Sequence, residues 1–169
     1  MKELVFNPDE ILRQKSTPVM EFGSALDKVV QDATWVMRSL AGNALGITAI
    51  QTREPIRLAL LEMDYFSGKR HWARPLVICN PEVMGTEGEQ LLDDEGCLSF
   101  PGKFMKVKRP EIVRIRFWDR EGKERYQFFH QVFARCVLHE LDHMDGVLFL
   151  DRAEQLAPTK AGTDGPKEG

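Results

Sequence analysis

The chain has 169 residues, 43% of them hydrophobic and 29% charged, enough to bury one real core and the balance of an ordinary globular domain. A net charge of −3 gives no broad basic footprint, so no specific binding to DNA or other nucleic acid is expected. The longest apolar runs, such as the one at 58–61, are too short to span a bilayer, so no membrane partner is expected either.

The first twenty residues lack the apolar core of a secretory leader. Cys79, Cys97 and Cys136 are odd in number and widely spaced, which argues for a reducing cytoplasm and against a disulfide framework. Residues 6–19 carry two prolines and no sustained period, so they read as an extended arm with a short turn. From Ser24 to Leu40 the apolar residues Leu26, Val29, Val30, Ala33, Val36, Met37 and Leu40 keep a helical period, with Ser24 to cap it and Gly42 to end it. Residues 57–63, 75–84, 111–119 and 125–133 are rich in β-branched and aromatic types, and turn residues at 67–69 and 119–123 separate some of them into hairpins. A buried helix follows from about Val132, closed by Gly146, with its boundary near His130 left open. Residues 156–169 are small, polar and rich in Gly and Pro and read as a disordered tail, which leaves 1–155 as a single catalytic domain. Helix, strands, helix is the order of an α+β fold.

The chemistry-bearing segment is HELDH, residues 139–143. Residues four apart share one helix face, so His139 and His143 can hold one metal ion through two imidazoles. Glu140 sits about 100° round from His139, near the metal without being obliged to bind it. A catalytic site needs a third protein ligand. Six residues beyond His143 stands Phe149, so a third histidine there is excluded, and His71, His130 or a cysteine remain. His130 and His71 have no motif around them. Cys97 does, in DDEGCLSFPG at 93–102, although a lone thiol is more often core filler. Cys79 and Cys136 lie among apolar neighbours and read as core.

EGCLS (95–99) and HELDH in this order, preceded by ALGITAIQ (44–51), resemble the three motifs of the peptide deformylases. The resemblance runs over nearly all of residues 1–152, including Arg109–Pro110 and GVLFLDR at 146–152. It implies an α+β domain with mixed or antiparallel sheets around a central helix that carries HExxH, plus an N-terminal helix. It implies a metal-dependent hydrolase that removes the formyl group from the N-terminal formylmethionine of new polypeptides and releases formate. Cys97, His139 and His143 then look like the metal ligands and Glu140 like the acid/base residue. Gln51 and the backbone N–H of Leu98 look like donors to the developing oxyanion. Leu45 and Gly46 resemble the edge that pairs with the peptide, and Val132 and Cys136 the lining of the methionine pocket. The expected cofactor is Fe2+ in the cell, with Zn2+ next and Ni2+ or Co2+ able to replace it. The expected partners are N-formylmethionyl nascent chains in the cytoplasm, with transient ribosome contact and little selection at the second and third substrate positions. Ala44, Ile47, Thr48, Phe104 and Leu138 depart from the family pattern at positions that touch the substrate side. Asp142 is expected to pair with a basic residue, Arg109. Two other readings stand beside this one: a metallopeptidase cutting internal bonds, and an inactive relative that only binds peptide termini.

Overall fold

Leu58, Ala59, Leu60 and Leu61 form a strand in which every side chain is buried, and this fixes the layering of the molecule. Side chains along a strand alternate between faces, so such a strand needs cover on both. Leu58 and Leu60 share a core with Leu26, Val30, Ala33, Val36 and Met37 of helix α1 (Ser24–Ala41). Ala59 and Leu61 share the other with Ala134, Val137, Leu141 and Met144 of helix α2 (Gln131–Met144). The computed structural model describes residues 2–41, 44–64 and 74–154.

The sheet has five strands in chain order: β1 (Gly46–Thr48), β2 (Leu58–Leu61), β3 (Leu76–Gly96), β4 (Phe104–Trp118) and β5 (Glu124–His130). Every neighbouring pair is antiparallel. A parallel bridge joins Thr17 to Ile56 outside these strands. Helix α3 (Phe149–Glu154) and the N-terminal arm build a third core from Val5, Leu12, Phe100, Val107, Leu148, Phe149 and Ala153. The α+β class, the N-terminal helix and the antiparallel sheet around the HExxH helix are all present.

The elements differ from expectation in three places. β3 and β4 run much further than the apolar segments did, out to Gly96 and back from Phe104. β2 pairs only with Leu76–Cys79 of β3, and residues 83–94 are held by β4 alone with their side chains exposed. An exposed strand interrupted by bulges has no reason to alternate apolar and polar residues. Within the arm, Glu10–Arg13 forms one 3-10 turn, started by the Asp9 carboxylate, which accepts from Ile11 N–H at 3.1 Å. Finally, residues 131–133 belong to α2, because the chain turns from β5 into the helix at Gln131 with φ 50°. Gly146 closes α2 with φ 72°, tight against the backbone of Arg13 and Gln14. Among the described residues no helix is long and apolar enough to cross a membrane. The tail at 156–169 and His71 lie outside the described residues.

Candidate functional site

The turn from β3 into β4 delivers Cys97 to the buried face of α2. There its Sγ lies 3.2 Å from Nε2 of His143, and the ligand atoms of Cys97, His139 and His143 all fall within 4.8 Å of one another. One helical turn sets the two imidazoles edge to face, with ring centroids 4.9 Å apart. His130, in contrast, caps the start of α2 as an exposed residue outside this cluster. One thiol and two imidazoles suit a divalent cation of intermediate softness, and a three-residue set leaves room for water or substrate.

The imidazole of His139 is oriented from behind. Its Nδ1 lies 2.6 Å from Oε1 of Glu95. Burial alone would raise the Glu95 carboxyl, but hydrogen bonds from His139 and Arg109 outweigh it and hold the pKa at about 2. An ionised carboxylate can only accept, so Nδ1 carries a proton, and Nε2 of His139 offers a lone pair to a ligand only when the ring is neutral. Arg109 clamps Glu95 with Nε at 3.1 Å and Nη2 at 2.8 Å, and reaches Asp142 with Nη1 at 2.7 Å. Asp142 therefore pairs with Arg109 as expected, and with Arg152 as well, at 2.5 and 3.0 Å. All of Glu95, Arg109 and Asp142 are buried, so each charge depends on its partners. Burial disfavours charge on His139, yet Cys97 and Glu95 raise its pKa well above the ordinary value. Burial and the neighbouring His139 push His143 well below.

Glu140 has no such partners. It is 4% exposed, and its Oε2 finds no hydrogen-bond partner among the described residues. Burial lifts its carboxyl to about 7, the range in which a group can both take and return a proton. Gly46 of β1 packs directly against it: a Cβ there would meet Glu140 Oε1 at 2.7 Å and Cys136 Sγ at 2.9 Å. The bare backbone at 46 thus makes room for the side chains of Glu140 and Cys136 on α2.

Gln51 sits in the 3-10 turn Ala49–Thr52 and is held at both ends. Its Oε1 accepts from Thr48 N–H at 2.9 Å and from the Thr48 hydroxyl at 3.1 Å. Its Nε2 donates to Ser99 Oγ at 3.0 Å and points to Cys97 Sγ at 3.7 Å. The amide N–H side therefore faces the cysteine and histidines. These groups open on a cleft of about 660 Å³ lined by Leu45, Gly46, Gln51, Cys97, Leu98, Val132, Cys136, His139 and Glu140 among others. Every site residue named from the sequence lies in or against this cleft, except His143, which sits one turn behind His139. Burial raises the Cys136 thiol well above its usual pKa, so it lines the cleft as an uncharged apolar surface.

Sequence reading did not single out Glu95, Thr48 and Ser99 as supporting residues. Glu95 had a signal, an acid two residues before the one cysteine with a motif; a buried histidine ligand commonly donates its second nitrogen to a carboxylate. Thr48 also had a signal, since Thr48 and Gln51 stand three apart as a capping box, whereas Ser99 comes from the β3–β4 connection, which no local pattern announces.

The site has relatives. The sequence profile described as Polypeptide deformylase matches residues 1–159. Peptide deformylases of Rhodopseudomonas palustris and Bartonella tribocorum are 36% and 38% identical over 156 and 151 residues, covering 92% and 89% of this chain and 87% and 83% of their own. The crystal structure of a peptide deformylase from Synechococcus elongatus, in complex with actinonin, matches with a TM-score of 0.81 at 32% identity, covering 90% of this chain and 78% of that one. Sequence and fold agree, and the chain belongs to the peptide deformylase family, hydrolases that remove the N-formyl group from newly made polypeptides.

Proposed function

We propose that Cys97, His139 and His143 hold one divalent cation, and that Glu140, Gln51 and the Leu98 N–H carry out deformylation beside it. The single observation that carries this reading is Glu140: a buried carboxylate with an unpartnered oxygen, one residue from His139 and in the same cleft as Cys97. A cation bound there supplies Lewis acidity and lowers the pKa of water. Glu140 takes the proton from the attacking water and returns it to the leaving nitrogen. Gln51 spends one Nε2 hydrogen on Ser99 and turns the other to the formyl oxygen as its charge grows, together with Leu98 N–H. The edge of β1 at Leu45 and Gly46 aligns the peptide backbone, and Val132 and Cys136 receive the methionine side chain.

The donor set admits iron, zinc, nickel or cobalt, and we assign Fe2+ as the ion in the cell on the strength of the family resemblance. On this reading the substrates are formylmethionyl ends of nascent chains, met in the cytoplasm in transient contact with the ribosome. Actinonin, present in the Synechococcus complex, is expected to occupy the same cleft here. The test is formate release from formylmethionyl peptides by anaerobically purified protein, with metal analysis of the same sample. Cleavage at internal bonds, or binding without formate release in metal-loaded protein, overturns the assignment.

A further inference from the structure

Strand β5 ends the sheet, with β4 on one side and no strand on the other among the described residues. Phe129 joins Val113, Ile115 and Phe117 in the core beneath it, where α2 packs with Ala59, Leu61 and Ile78. Glu124, Tyr126, Phe128 and His130 alternate onto the opposite face, and all four are exposed, Tyr126 by 61% and Phe128 by 47%.

The hairpin turn decides which backbone groups face outward. Asp119 N–H donates to the Lys123 carbonyl at 2.9 Å, and opposite pairs in an antiparallel ladder are alternately bonded and unbonded. Arg125, Gln127 and Phe129 therefore exchange bonds with Phe117, Ile115 and Val113 of β4. The N–H and C=O groups of Tyr126 and Phe128, with the Glu124 carbonyl and the His130 N–H, point to the open edge. Such an edge is a template for another strand, and folded chains usually blunt it with a proline, a lysine or a bulge. Beyond its pairing with β2, the edge of β3 is broken by register shifts at Cys79/Glu82, Val83/Gly85 and Glu87/Gln90. β5 has neither proline nor lysine, and its register with β4 runs without a shift from Glu124 to His130. Its one arginine, Arg125, is held by Asp119 at 2.7 Å.

We propose that β5 pairs antiparallel with β5 of a second copy of this chain about a twofold axis at Gln127, making one sheet across two molecules. Outward-facing residues must meet outward-facing residues, which allows an axis at Tyr126, Gln127 or Phe128. Only the axis at Gln127 pairs the whole strand; the other two leave the end of each strand unpaired. In this register Tyr126 of each copy stands opposite Phe128 of the other, and the Glu124 carboxylate opposite the His130 imidazole. The strand is thus complementary to itself, which is what a twofold interface requires and what a foreign strand has no reason to match. β1, proposed above as the peptide edge, stands at the other end of the strand order and stays open.

The test joins sedimentation velocity of the full chain, over a micromolar concentration series, to cysteine cross-linking. The parent should pass from monomer to dimer as concentration rises. Tyr126→Lys/Phe128→Lys sets like charges opposite each other and should raise the dimer dissociation constant by about tenfold or more. Neither residue lines the cleft, so circular dichroism and formate release should match the parent. Gln127→Cys brings the two thiols to a pair whose Cα atoms are about 4.5 Å apart, within disulfide range, and should link as a dimer on mild oxidation. Glu124→Cys puts them at opposite ends of the ribbon, about 20 Å apart, and should not link. The parent, oxidised in parallel, corrects for Cys79, Cys97 and Cys136, and the cross-links carry the test alone if the lysine pair fails to fold. A parent that stays monomeric throughout the series overturns the proposal. So does a dimer that the folded lysine variant leaves intact, or one in which Glu124→Cys links as readily as Gln127→Cys.

Discussion

His139 donates its Nδ1 proton to Glu95 across 2.6 Å, and Glu95 in turn is held by Arg109, so one imidazole of the proposed metal site is fixed by a chain of buried charges. The consequence is measurable without catalysis. Glu95→Gln keeps the shape but replaces a charged acceptor with a neutral amide and leaves Arg109 half-compensated. We expect metal affinity to fall by about 10- to 100-fold, read by competition with a chelator of known affinity. Unchanged affinity would show that Glu95 serves Arg109 alone and leaves His139 to orient itself.

Glu140 calls for the opposite pattern. On the proposed reading its carboxylate moves a proton and does not complete the ligand set, so Glu140→Gln should bind metal as the parent does. Turnover should drop by about 10²- to 10⁴-fold, with little change in KM. Loss of metal from Glu140→Gln, rather than loss of kcat, would make Glu140 a ligand and require a different proton carrier.

What could be read in advance follows the range of each interaction. HELDH declared itself because a helix places residues four apart on one face, so the sequence spacing is already the geometry. β2 was equally plain, since its burial on both faces demands an unbroken apolar run. Residues 85–94 were opaque as a strand for the converse reason: β4 holds them at one edge, their side chains face water, and bulges break the period. Cys97 stands 42 positions before His139, and only a motif resemblance joined them ahead of the fold. Of the clamp on Gln51, the Thr48 half is a capping box spanning three residues, while the Ser99 half was hidden because it approaches from the β3–β4 connection.

The N-terminal arm is tied to α3 by an ion pair whose pH dependence has a definite sign. Arg13 holds Asp151 through both guanidinium nitrogens, with Nη2 to Oδ1 at 3.0 Å, and Asp151 also accepts from Leu148 N–H at 2.8 Å. The Arg13 hydrogen bond first, and the Leu148 N–H after it, hold the Asp151 carboxyl below its ordinary 3.8. A depressed carboxyl contributes stability above its unfolded pKa and loses it as pH falls through the folded one. Asp151→Asn should therefore cost about 1 kcal/mol in urea unfolding at pH 7, given that the pair is partly exposed. The difference from the parent should shrink steadily once pH drops below about 3.8 and vanish in stronger acid. A gap that persists unchanged at pH 2 would mean the loss comes from packing and not from the charge.

Gly46 offers the sharpest check on how β1 and α2 cooperate. A methyl group at this position would stand 2.7 Å from Glu140 Oε1 and 2.9 Å from Cys136 Sγ, both closer than such atoms approach. Neither neighbour is at the loose end of a surface side chain: Glu140 and Cys136 are buried on α2, so relief must come from turning the carboxylate or shifting the strand. Gly46→Ala should thus keep its metal, since Cys97, His139 and His143 are untouched. It should lose turnover by about tenfold or more, because a displacement on the ångström scale of Glu140, the proposed proton carrier, is costly. Adding Cys136→Ala removes one of the two obstacles and gives Glu140 room to settle, so the double variant should recover part of the lost kcat although Cys136→Ala alone should weaken the proposed methionine pocket. Measuring kcat and KM for the four proteins on one formylmethionyl peptide separates the effects: the clash appears in kcat, the pocket in KM. Strictly multiplicative losses in kcat, with no recovery in the double variant, would show that Gly46 matters through the peptide-facing backbone and not through its contact with Glu140.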